Sequence, residues 1–151
     1  MLVLCACGRD DTDATTTSSA QTGTTAQTHT QTQAEAEASS ASFVNGQAVY
    51  VQSCLLCHQH DGGGVPNMQP ALVGSEIVAG NAEALIELTL RGIGGTPPSL
   101  PASGEYAMVM PGAMHLTDQQ IADLLTYIRQ EYDNVGPVSA KEVAAVRAEV
   151  E

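Results

Sequence analysis

Tryptophan is missing altogether, and Phe43, Tyr50, Tyr106, Tyr127 and Tyr132 are the only aromatic side chains among 151 residues. A domain so poor in large flat side chains has little with which to fill a core of its own. Basic residues are scarce too: 5 Lys and Arg stand against 17 Asp and Glu, for a formal charge of −12. That sign repels polyanions, so no nucleic-acid partner is expected. No apolar run approaches the length of a membrane-crossing helix. Strict apolar–polar alternation, the mark of a half-buried strand, is also wanting, which leaves an all-α fold as the expectation.

Residues 8–42 are mostly Thr, Ser, Ala and Gln, with almost no large apolar side chain to offset the entropy of ordering. They are expected to form a disordered tether with an r.m.s. span of about 30–35 Å. Residues 1–7 ahead of it are apolar but short for a signal-peptide core, with no Lys or Arg before them. They are read as the remnant of a signal peptide. Leu4-Cys5-Ala6-Cys7 resembles a bacterial lipobox, whose last cysteine is acylated, although Cys5 stands where a small or β-branched residue is usual. The rival reading is an ordinary cleaved leader that takes Cys5 and Cys7 with it. Both readings put the chain in the periplasm or another extracytoplasmic site, lipid-anchored in the first case.

The domain proper is expected over 43–135, followed by a helical extension over 136–151. Asn45 is a good N-cap for a first helix running through Gly46 and Tyr50 to Cys54. Asn81 caps a second, through Leu85, Leu88 and Leu90 to Arg91-Gly92. Thr117 and Gln120 form a capping box for a third, with Leu116 and Ile121 placed as a hydrophobic staple. Its apolar residues Ile121, Leu124, Leu125 and Ile128 share one face. Ser139 and Glu142 start the last helix, with Val143, Val146 and Val150 on one side. Gly62–Ser75 and Gly92–Met114 are rich in Gly and Pro and are expected as loops. The second is long for a compact domain, which usually marks function or disorder.

Against this background one motif stands out. Cys54-Leu55-Leu56-Cys57-His58 has the C-x-x-C-H spacing of c-type haem attachment. Residues three and four apart share a helix face. Two thiols would thus meet the two vinyl groups of a porphyrin, while the imidazole of His58 reaches the iron from the same side. The porphyrin would also supply the flat apolar bulk that the sequence lacks. A zinc half-site needs a second ligand pair, which the folded part does not offer. A thioredoxin-like dithiol needs a βαβ setting.

Iron held by His58 needs a ligand on its other face, and a thioether raises the potential in electron-transfer sites. The candidates are Met68, Met108, Met110 and Met114, with His60 and His115 as nitrogen alternatives. Met68 and His60 follow His58 too closely to cross to the opposite face. Met110 is best placed, at the end of the long loop with Pro111 stiffening the chain behind it; Met108 is next. Met114 and His115 lie nearer the helix start, where packing or solvent claims them.

With these residues in view, the chain resembles the class I mono-haem cytochromes c of bacteria over about residues 43–135. The matching positions are Cys54–His58, Gly46 and Tyr50, Pro70-Ala71-Leu72, Met110-Pro111 and Leu124 to Arg129. The resemblance implies three packed helices around one covalent haem c, a bundle of three to four helices in all. It implies that the terminal helices cross at Gly46/Tyr50 and Leu124/Tyr127, and that the Pro70 carbonyl accepts a hydrogen bond from His58 Nδ1. Cofactor-binding residues are then Cys54, Cys57, His58, Met110 and Pro70, with His58 and Met110 on the metal. The tail from Asn134 to Arg147 resembles an extension on cytochrome domains that accompany periplasmic dehydrogenases and nitrite reductases.

The expected function is electron transfer rather than catalysis, with a dehydrogenase, reductase or oxidase as redox partner. Two rivals remain: a haem enzyme or gas sensor with an open sixth position, and a dithiol oxidoreductase with free Cys54 and Cys57.

Overall fold

Gly46 and Asp123 mark the place where the two longest helices meet. A computed structural model describes residues 24–96 and 99–151, with side chains from residue 37 onward. Helix α1 (Thr24–Ser53) carries Gly46, and a Cβ there would fall inside the carbonyl of Asp123 and 2.8 Å from Tyr127 Cβ. Only a residue without a side chain permits that approach.

The chain continues through α2 (Leu55–His58), α3 (Glu76–Ala79), α4 (Ala82–Arg91), β1 (Gly92–Ile93), β2 (Met110–Pro111), α5 (Asp118–Asp133) and α6 (Ala140–Val150). Among the described residues it is an all-α bundle of four long helices, to which two single-turn helices and one two-residue ladder are added. β1 and β2 pair antiparallel, Gly92 opposite Pro111 and Ile93 opposite Met110. Neither this ladder nor α3 is expected from the sequence, because two to four residues are too few to show a period.

Three of the four expected helix starts coincide with the structure. Asn81 accepts a hydrogen bond from the Glu83 N–H at 2.8 Å, and the Thr117/Gln120 and Ser139/Glu142 capping boxes are both closed. The first start does not. α1 already runs from Thr24, well ahead of Asn45, so Asn45 lies inside the helix rather than capping it. The part of the expected tether that is described, 24–42, is therefore helical; residues 1–23 lie outside the described residues. The segment 24–42 contains no Gly or Pro and is rich in Ala, Gln and Glu, which propagate a helix once its packed half has nucleated it. Contacts to α5 begin before Phe43: Gln130 donates to Ser39 Oγ at 3.2 Å, and the Ser42 hydroxyl donates to Asp123.

α5 is the centre of the bundle. Its residues from Ile121 to Arg129 are all buried, not merely the Ile121/Leu124/Leu125/Ile128 face that the periodicity marks. A helix enclosed on every side needs neighbours on every side. α1 covers Tyr127 through Phe43 and Tyr50, with ring centroids 5.1 and 5.3 Å apart. The segment entering α6 covers Thr126, whose hydroxyl lies 3.2 Å from the Val138 carbonyl and 3.0 Å from the Val138 N–H. Arg129 reaches out of the core to the carbonyls of Val78, Gly80 and Gly136, each at 3.0 Å. That guanidinium stitches α3 and the tail to α5, meeting carbonyls that the last turn of α3 leaves without helical partners.

Candidate functional site

The two cysteines and the histidine of the motif sit at a break rather than within one uninterrupted helix. α1 ends at Ser53, Cys54 takes φ −121° and ψ −32°, and α2 restarts at Leu55. The first helix, expected to run to Cys54, ends one residue before it. Spacing survives because the Cys57 and His58 N–H groups both donate to the Cys54 carbonyl, at 3.1 and 2.9 Å. Cys54 and Cys57 are free thiols, each half-buried. Burial, with the neighbouring Cys57 second, pushes the Cys54 thiol up to about 11. A thiol so raised is protonated at neutral pH and ill suited to dithiol exchange. Among the described residues no group of three His, Cys, Asp or Glu side chains converges to hold a metal ion, so zinc lacks its remaining ligands.

His58 is 8% exposed, and burial lowers its pKa while the bond to Pro70 works the other way. Its Nδ1 lies 3.2 Å from the Pro70 carbonyl. A carbonyl only accepts, so Nδ1 carries the proton and Nε2 keeps a lone pair. Pro70 is held there by its own loop. The Leu72 N–H donates to Gly62 O at 2.7 Å, and Gly64 N–H to His58 O at 3.2 Å. Gly64 has φ +63°, and a Cβ on it would stand 2.5 Å from the Pro70 carbonyl oxygen. Gly64 thus permits a tight chain path beside His58.

Two tyrosines, only one of them marked by the motif pattern, lock the chain beyond His58. Tyr50 donates to the Gln59 carbonyl at 2.6 Å, and Tyr132 to the His60 carbonyl at 3.3 Å. Tyr132 also lies flat against Gly62, where a Cβ would be 2.7 Å from its ring. The Tyr50–Tyr132 and Tyr127–Tyr132 centroids are 5.8 and 6.0 Å apart, so the scarce aromatics are gathered behind the motif. The aromatic at Tyr132 follows Tyr127 by five positions, a spacing that no helical-face rule would pair with Tyr50.

Met110 belongs to another segment. It is half-buried in β2 and linked to the motif loop through a short stretch where the Ala107 and Met108 N–H groups donate to Asn67 O and Met68 O, at 3.0 and 3.2 Å. A hollow of about 370 Å³ opens beside Met110, lined also by Leu90, Arg91, Ser99, Val109 and Met114. Neither cysteine nor His58 lines it. Met68 and Met108 are 40% and 50% exposed, Met114 packs against the core, and His60 and His115 are exposed. The structure therefore brings Cys54, Cys57, His58 and Pro70 into one group, with Met110 on a neighbouring segment.

The donor set suits an iron porphyrin. Two reduced thiols, an imidazole with its second nitrogen already bonded, and apolar side chains of Met68, Met108 and Val109 on the adjoining loops are the chemistry that such a group requires.

Comparison with known proteins agrees. Residues 43–131 match the family model for cytochrome c. The cytochrome c subunit of alcohol dehydrogenase (quinone) from Gluconacetobacter polyoxogenes is 40% identical over 108 residues, covering 69% of this chain and 22% of that subunit. The gluconate 2-dehydrogenase cytochrome c subunit of Pantoea cypripedii is 36% identical over 107 residues, with 68% and 24% covered. Cytochrome c-552 of Thermus thermophilus is 34% identical over 115 residues, with 69% of this chain and 85% of that protein covered. The chain thus spans about a quarter or less of the dehydrogenase subunits.

Proposed function

The chain belongs to the cytochrome c family, and on that premise we propose that Cys54 and Cys57 would carry one haem c as thioethers, with His58 and Met110 holding its iron. The domain is a haem-bearing electron-transfer module. When bound, the haem supplies one-electron exchange between Fe(II) and Fe(III). The rest is the work of the chain. His58 offers Nε2 because Pro70 holds Nδ1. Tyr50 and Tyr132 fix the residues after His58, so the imidazole cannot swing away. Met110 is aligned by the Ile93 pairing and stiffened by Pro111. With His58 and Met110 both engaged, the metal would offer no place for a substrate, and the domain would relay electrons instead of making bonds.

The observation that carries this reading is the His58 Nδ1–Pro70 bond within the C-x-x-C-H group. Maturation of the full chain in a host that assembles cytochromes c tests it. The product should retain haem in denaturing gels, and its ferric spectrum should show a Met–iron band that Met110→Ala abolishes. Haem lost on denaturation, or a band unmoved by that substitution, refutes the attachment or the ligand respectively.

Membership also bears on setting. We infer an extracytoplasmic electron shuttle working beside a dehydrogenase, as the names of the relatives suggest for those proteins. The charge of −12 steers such a module toward basic patches. Acylation of Cys7 would anchor it to a membrane. A diacylglyceryl mass on Cys7 of the mature protein supports the anchor; a mature N-terminus beyond Gly8 rules it out. Residues 43–135 form the cytochrome domain in this reading, and 136–151 its extension.

A further inference from the structure

Arg147 lies beyond the stretch that matches the family, yet its side chain ends on the segment that follows Met110. Its Nε donates to Asp118 Oδ1 at 2.7 Å, Nη1 to the Met114 carbonyl at 3.0 Å, and Nη2 to the Leu116 carbonyl at 2.7 Å; Nη1 also lies 4.0 Å from Met114 Sδ. The side chain is only 16% exposed. Three acceptors on one five-residue stretch use the guanidinium as a planar fork, which a Lys ammonium does not reproduce.

That stretch is short, and its other end is equally constrained. Met110 and Pro111 pair with Ile93 and Gly92. Gly112 lies against the chain at Leu90 and Arg91, where a Cβ would be 2.5 Å from the Leu90 carbonyl. Ala113 N–H donates to Thr89 O at 2.9 Å, and Leu116 N–H to Ala113 O at 3.0 Å. From Met110 to Asp118, then, the chain is pinned by α4 and β1 on one side and by Arg147 of α6 on the other. Without the guanidinium, the Met114 and Leu116 carbonyls lose a charged donor, and the run from Gly112 to α5 is held by α4 alone.

The geometry points to Arg147 as a positioning residue for the sixth iron ligand: the C-terminal helix clamps the segment behind Met110 and resists its withdrawal from the metal. This rests on Met110 being that ligand. A ligand poised to leave opens the site a larger fraction of the time, and an external competitor then binds with proportionally higher apparent affinity.

The full, haem-loaded chain in its ferric form is titrated with imidazole while the Met–iron band is followed. Arg147→Ala should bind imidazole about tenfold more tightly than the wild type, as expected when hydrogen bonds from a charged group are lost. Arg147→Lys should fall between the two. Asp118→Asn, which spares both carbonyl bonds and is the milder change should Arg147→Ala fail to mature, should raise the affinity by about threefold. Affinities within about twofold of wild type in the variants that mature overturn the assignment, even where the melting temperature falls, because a merely structural tie would move only the latter. Met110→Ala separates the two layers. A band that persists in Met110→Ala refutes the ligand itself. A band lost there, with imidazole affinity unchanged in the Arg147 variants, refutes the clamp alone.

Discussion

The imidazole Nδ1 of His58 and the carbonyl oxygen of Pro70 are 3.2 Å apart, and the backbone between them is folded so tightly that a Cβ on Gly64 would collide with that same oxygen. One acceptor thereby serves a side chain and excludes another. Its position decides how basic the imidazole is, and with that how strongly it favours the oxidised ion.

Gly64→Ala should displace the Pro70 carbonyl. A Cβ would stand 2.5 Å from the oxygen, and φ is +63°, which l-residues rarely adopt. The expected outcome is a weaker Nδ1 bond, a less basic imidazole and a higher reduction potential, together with a loss of about 1–3 kcal/mol in stability. Redox titration and urea denaturation of the same preparation check both parts.

Gly46→Ala attacks the α1–α5 crossing. Its methyl group would enter the Asp123 carbonyl and stand 2.8 Å from Tyr127 Cβ, both on a fully enclosed helix that has nowhere to retreat. Overpacking of this kind costs about 1–3 kcal/mol or more. Chemical denaturation should show the loss, while Ala48→Gly, two positions on in the same helix, should cost about 1 kcal/mol from helix propensity alone.

Arg129→Met keeps an unbranched apolar stem in the core but strips donors from the carbonyls of Val78, Gly80 and Gly136. The expected loss is about 3 kcal/mol or more, since hydrogen bonds to a charged group are each worth about 1.5–3 kcal/mol. Arg129→Lys should recover only part of it, because an ammonium cannot span three separated acceptors. Thermal melting measures the order wild type, then Lys, then Met.

The start of α6 should sense acid. Hydrogen bonds from the Ser139 hydroxyl and backbone hold the Glu142 carboxyl below its ordinary value of 4.5. A carboxyl whose folded pKa lies below its unfolded one adds stability above the unfolded pKa and loses it as pH falls through the folded one. Stability should therefore drop below about pH 4.5, and Glu142→Gln should flatten that limb. Ser139→Ala should cost about 1 kcal/mol near neutral pH. Urea midpoints collected from pH 3 to 7 check both variants; a Gln variant that keeps the full acid slope would refute the assignment to Glu142.

Much of this was legible because the signals are local. Asn81, Thr117 and Ser139 announce their helices through side chains that bond backbone two or three positions on, and C-x-x-C-H is written in five consecutive residues. What the sequence hides is of longer range. Nothing in the sequence marks the helix as extending ahead of Asn45, and a segment poor in apolar residues is helical as a continuation of the packed half at Phe43 and Tyr50. The burial of Asp123, Thr126 and Arg129 depends on three neighbours that approach α5 from different directions, and periodicity records only one of them. Tyr132 meets the loop after His58 across 72 positions of chain. The link between Met68 and Met108 joins two loops whose Gly and Pro content predicts irregularity but not partnership.

The Thr126 hydroxyl, shared with both backbone groups of Val138, fastens the C-terminal segment to α5 like a rivet. A graft cut at residue 131, where the family likeness stops, would leave that rivet and the Gly136 end of Arg129 with nothing to grip. Anyone moving this module into a fusion protein should carry it through to Val150, and treat the last twenty residues as part of the casing rather than as trim.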